Sequence, residues 1–269
     1  MYFSRSIFLL ALASGLLAMP GCKPDPVAPD PPPTPAPTDT TSAVDTSGTL
    51  GTLRLLIEPT WQGAPFVLNT VYHNVSDYRV KVELLKFYLG NVRLLSGTDT
   101  VLVKDVALFD AANGPMMLQG SVEQGTWTGF HAGLGVPMAL NDADPIVYSP
   151  GHPLSLSNGT YWSWATAYRF VMFDGRFDTD PAGTLAPAQL MSIHTGLNAM
   201  YREFELPLAN GLTITAGNTT TLTLEMAVDA FFLSPTDTID LAVDNQSHGD
   251  NAPLATMLTN NVVHSLSVQ

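Results

Sequence analysis

Basic charge, cysteine, long apolar runs and helical periodicity are all scarce in this sequence, and each shortage excludes something. Lys and Arg number 11 against 24 Asp and Glu, for a formal net charge of −13. Nucleic acid and anionic membrane surfaces are held by basic patches, so neither is expected as a partner. A single cysteine, Cys22, leaves no disulfide framework and no thiolate metal cluster within the chain. The G-x-S-x-G nucleophile elbow, the phosphate-cradling G-x-x-x-x-G-K loop and H-E-x-x-H are absent, so no enzyme class is indicated and the chain reads as a binding protein. One short helix, over 253–260, is the extent of the helical pattern.

What is present begins with an export signature. Arg5 precedes the apolar run Ile7–Leu17, which is too short to span a bilayer and reads as the core of a signal peptide over 1–21. Gly21 before Cys22 resembles a bacterial lipobox, so Cys22 is expected to carry lipid and anchor the chain to a membrane. Lys23, rather than Asp, favours the outer membrane; an ordinary secretory signal with an incidental cysteine is the plainer alternative. Residues 22–48 are dense in proline and poor in apolar side chains, the composition of an extended linker. The folded domain is expected over 49–269, lipid-anchored in the cell envelope.

That domain reads as strands. Alternation at period two runs over 52–58, 66–72, 79–95, 101–108, 125–136 and 212–230, and again through Val262, His264, Leu266 and Val268. Within 79–95 the apolar phase shifts after Leu84, the mark of a β-bulge. The stretch Gly159–Gly175 is apolar on both faces, with Trp162, Trp164, Tyr168 and Phe170 on one of them, as a strand inside a sandwich requires. Roughly ten strands make an all-β fold, an antiparallel β-sandwich or barrel. Two of the four tryptophans, Trp162 and Trp164, lie two residues apart there. As strand residues they are core filler; a metal-adjacent or redox-active aromatic pair is the sharper reading.

With cysteine excluded, histidine is the soft metal donor to follow. There are six, at 73, 131, 152, 194, 248 and 264, and no pair has diagnostic spacing. His194 lies among apolar residues; His264 reads as a core histidine on its strand. The carboxylate-rich loops 141–144 and 178–183 lack the spacing of a calcium loop and read as solvated turns.

The order of several short motifs resembles the copper-binding MbnP-like family of bacterial periplasmic proteins and lipoproteins. They are Lys86-Phe87-Tyr88-Leu89-Gly90-Asn91, Gly133-Leu134-Gly135-Val136-Pro137, Leu140-Asn141, Tyr161-Trp162-Ser163-Trp164 with Tyr168 and Phe170, and His194-Thr195-Gly196. The resemblance implies a β-sandwich holding one copper ion, in some members beside a tryptophan oxidised through a partner of the di-haem cytochrome c peroxidase type. It implies His194 as a copper ligand, Trp162 or Trp164 as the metal-adjacent or modified residue, and Tyr168 as a contributor. The family's second histidine falls at Asp142 here, a carboxylate better suited to Cu(II) than to Cu(I). His131, His152 and His264 are the candidates to supply the missing nitrogen. The alternative is a metal-free β-sandwich binding or adhesion module of the same fold.

Overall fold

The computed structural model describes residues 49–162 and 167–269; the expected signal peptide, Cys22, the linker and Trp164 lie outside them. Fourteen strands are present among the described residues. The first seven are β1 (Leu50–Trp61), β2 (Ala64–Pro65), β3 (Val71–His73), β4 (Arg79–Ser96), β5 (Asp99–Asp110), β6 (Met116–Glu123) and β7 (Gly125–Leu134). A short helix, α1 (Met138–Asn141), and two single 3-10 turns then lead to β8 (Tyr161–Trp162) and β9 (Ala167–Asp178). The chain continues through β10 (Gln189–Gly196), β11 (Arg202–Ile214), β12 (Thr219–Ala227), β13 (Gln246–His248), α2 (Ala252–His264) and β14 (Leu266–Val268).

Two sheets face each other. The smaller runs β14-β12-β1-β2, with β6 on β1; the larger runs β11-β7-β4-β9-β10-β13, with β3 and β5 also pairing β4 and β8 pairing β9. Pairing is antiparallel except at β1/β12 and β10/β13. The core between the sheets follows from alternation: Leu53, Leu55 and Ile57 of β1 meet Leu85, Phe87 and Leu89 of β4 and Val171, Phe173 and Phe177 of β9. At about 25 cal/mol per Å² of apolar surface buried, this core supplies most of what opposes chain entropy.

β4 carries the expected bulge, with a register shift at Val82/Leu84, and a second, unexpected one at Val92/Arg93. β9 is buried on both faces, as its composition demands: Tyr168 and Phe170 join Tyr88, Val136 and Leu154 in a second apolar cluster outside the main core. Gly135 explains the spacing of its motif. It sits at φ +114°, and a Cβ there would lie 2.4 Å from Phe170 Cδ2, so only glycine lets this turn approach the cluster.

Several expected boundaries are corrected. The stretch expected as one strand over 159–175 is two: Tyr161 pairs Tyr168 and Trp162 pairs Ala167 in antiparallel register. The strand expected over 66–72 is confined to Val71–His73, and that expected over 212–230 is the end of β11 and all of β12. His264 is not on a strand. The C-terminal helix extends to it, and its exposed ring bonds the Asn260 carbonyl at 2.8 Å.

Candidate metal centre

The centre is dictated by register on the outer face of three adjacent strands. Along β10, Met191 and Ile193 enter the core, so Ser192 and His194 point the other way. Ser192 stands opposite Asp174 of β9, and His194 opposite Met172. On the other flank Ser192 stands opposite Gln246 of β13, and His194 opposite His248. Side chains directly opposite on one sheet face lie within contact reach, about 5 Å apart at Cβ, with the diagonal neighbours next. Two histidines, a serine and a carboxylate are thereby gathered from three strands.

Their contacts are close. His194 Nε2 is 2.8 Å from Asp174 Oδ1. The Ser192 hydroxyl donates to the same Oδ1 at 2.6 Å, and Ser192 Oγ is 2.8 Å from His248 Nε2. The two imidazole centroids are 5.0 Å apart. Trp162 covers both, its ring 5.2 Å from His194 and 5.6 Å from His248. Over the indole lies the Arg169 guanidinium, 4.4 Å from the ring centroid, a cation–π contact. Arg169 also donates to the carbonyls of Thr160 and Gly159, which ties the strand bearing Trp162 in place.

The electrostatics favour an ionised Asp174 and lower the His248 pKa. Burial pushes the Asp174 carboxyl up, but it is outweighed by the hydrogen bond and charge of His194, the Ser192 hydroxyl and His248, and the net direction is down. Burial, followed by the neighbouring His194, lowers His248 below the ordinary histidine value. Burial likewise lowers Arg169, partly offset by the Asp174 charge.

An ionised Asp174 accepts only, so the proton of a neutral His194 sits on Nε2. Its other nitrogen, Nδ1, is buried without a hydrogen-bond partner among the described residues. An unpartnered buried nitrogen is costly unless something binds it, and a histidine whose N–H is held by a carboxylate is the usual arrangement of a metal ligand. The residues fit copper through nitrogen. Among the described residues no group of three or more His, Cys, Asp or Glu is disposed to hold a metal ion. This accords with Asp174 lying on the Nε2 side of His194, away from the free nitrogen.

Of the residues expected from sequence, His194 and Trp162 come together here. Asp142 is exposed and accepts from the Asn198 side chain at 2.9 Å. Its neighbour Asn141 is buried, accepts from the Tyr168 amide and donates to Asn198, so the Leu140-Asn141 landmark braces β9 against the turn after β10. Tyr168 donates to the Leu154 carbonyl at 2.6 Å, within the second apolar cluster. His131 lies between Glu203 and Glu205, and His152 stacks on Tyr148. The residue that sequence reasoning passed over is His248. Its strand has three residues, too few for alternation to reveal, and its place beside His194 comes from parallel pairing.

Fold and centre together define an all-β sandwich that carries a buried and a half-buried imidazole side by side beneath an indole on one outer face. A model of the MbnP family matches residues 50–253, and the chain belongs to that family. Among solved structures it is similar to MbnP from Methylosinus trichosporium, at 14% identity and a TM-score of 0.47, over 69% of this chain and 78% of that one. A search among curated proteins finds no match.

Proposed function

We propose that this protein is an extracytoplasmic copper-binding protein, lipid-anchored through Cys22 in the cell envelope, in which His194 and His248 hold one copper ion beneath Trp162. The observation that carries the reading is the buried, unpartnered Nδ1 of His194, beside a second imidazole 5.0 Å away. When bound, copper supplies a soft cation able to change oxidation state. Imidazole nitrogen is a donor that suits copper. Asp174 holds His194 in position, Trp162 excludes water from the pair, and Arg169 fixes Trp162. The protein acts by binding and not by catalysis. Modification of Trp162 or Trp164 by a di-haem peroxidase-type partner extends the same reading.

The test is metal content of the protein purified from its native host and again after copper is added, compared with His194→Ala. About one copper per chain, lost in the variant, supports the reading; no copper in either sinks it. Intact mass reports tryptophan oxidation, and movement of a Cys22→Ser variant out of the membrane fraction reports the anchor.

A second reading, a metal-free binding module, has two observations in its favour. One is the lack of a three-ligand acid or histidine group among the described residues. The other is an apolar cleft of about 630 Å³ lined by Leu56, Pro59, Phe66, Leu68 and Met116, which none of the centre's residues lines.

A further inference from the structure

We propose that Ser192 and Asp174 form one positioning unit that locks both histidines as Nε2–H tautomers, leaving both Nδ1 atoms as the lone-pair donors of the centre. The inference deepens the copper reading and rests on it for its purpose, but its geometry stands alone.

Proton counting decides it. A carboxylate accepts and does not donate, and a serine hydroxyl has one proton to give. The 2.6 Å contact between Ser192 Oγ and Asp174 Oδ1 uses that proton. At the 2.8 Å contact with His248 Nε2, therefore, Ser192 Oγ accepts, and His248 carries its proton on Nε2. His194 Nε2, 2.8 Å from the same carboxylate oxygen, carries its own. The chain is His248 Nε2–H to Ser192 Oγ–H to Asp174 Oδ1, which also accepts from His194 Nε2–H. Both neutral rings are left with their lone pair on Nδ1.

The register makes the unit possible. Asp174 and Ser192 are directly opposite, and His194 and His248 form the next row along the same face. One carboxylate thus orients two rings, one directly and one through a hydroxyl. Neither ring spends part of its time with the ligating nitrogen protonated, so no fraction of the population is unable to bind. A cation on Nδ1 makes each Nε2–H more acidic and strengthens its bond to the unit, while the single carboxylate charge offsets one positive charge of the ion. An outer partner of this kind is worth roughly 10–100-fold in metal affinity.

The experiment is long-range proton–nitrogen NMR of the metal-free, ¹⁵N-labelled protein above the histidine titration range, where the two ring nitrogens of each tautomer are distinguishable. His194 and His248 are expected as single Nε2–H tautomers. Ser192→Ala should release His248 into a tautomer mixture while His194 stays locked, and Ser192→Thr, which keeps the hydroxyl, should restore the lock. Asp174→Asn should release both rings. With Cu(I) alone as the probe, Ser192→Ala and Asp174→Asn should bind about 10–100-fold more weakly and Ser192→Thr normally. An Nδ1–H tautomer at either ring of the wild type, or unchanged tautomers in Ser192→Ala, overturns the proposal. Locked tautomers in a wild type that takes up no copper overturn the copper reading and leave the lock standing.

Discussion

His194 and His248 stand opposite each other across the parallel pair of β10 and β13, their ring centroids 5.0 Å apart. Each is therefore expected to matter equally to copper. His248→Ala should lose copper as completely as His194→Ala, by at least about 100-fold, beyond the 10–100-fold expected of an outer partner. Asp142→Ala, at an exposed side chain bonded to Asn198, should bind copper as the wild type does. Titration with a competing chelator separates the three.

Arg169 holds the indole from the face it covers. Removing it in Arg169→Met deletes a cation–π contact worth about 0.5–2 kcal/mol and the side-chain bond to the Gly159 carbonyl, while the Thr160 carbonyl keeps the Arg169 amide at 2.9 Å. Urea unfolding should show a loss of about 1–3 kcal/mol. Arg169→Lys keeps the charge without the planar fork and should recover part of it.

Phe173 is fully buried between the sheets, edge-on to Phe231 at 5.1 Å and tilted on Phe232 at 5.6 Å. Phe173→Ala leaves a cavity that the strands flanking it cannot close, and it should cost about 3–5 kcal/mol in the same urea measurement.

The buried Arg79 guanidinium gathers the turn after β9, pairing Asp178 and donating to the carbonyls of Asp180 and Leu185. The Asp178 carboxyl lies below its ordinary value, first through the backbone amide of Asp180, against a smaller opposing effect of burial, then through Arg79. A carboxylate whose folded pKa is depressed contributes stability above its unfolded value, near pH 4, and loses it as pH falls through the folded value. Stability should therefore decline below about pH 4. Asp178→Asn should be less stable at neutral pH and flatter in that acid range, as thermal unfolding across pH will show.

The long strands were legible because alternation needs several residues to register. β1, β4, β5, β7 and β12 have them; β6 has the same alternation, with Met116, Leu118 and Val122 inward, yet the sequence reading named no strand there. Strands of two or three residues, such as β2 and β13, carry no such signal, and β14 was read only as the end of a longer strand from Val262. The reversal between Trp162 and Ala167 is hidden because Ser163–Thr166 contains neither glycine nor proline; Ala167 itself takes the left-handed φ of +56° that a glycine would have announced. At the centre, His194 and Trp162 were visible through the motifs that carry them. His248 was not, because its position depends on which strand lies beside β10, and alternation says nothing of neighbours. Asp174 lies in the stretch read as apolar on both faces, and Ser192 was given no role. Only register shows that they meet.

The most direct measurement is the anomalous difference density of a copper-loaded crystal, collected on both sides of the copper absorption edge. One peak at bonding distance from Nδ1 of both His194 and His248, beneath Trp162, is the predicted result. A peak at Asp142 or among His131, Glu203 and Glu205, or no peak at all in crystals soaked to saturation, would contradict the account.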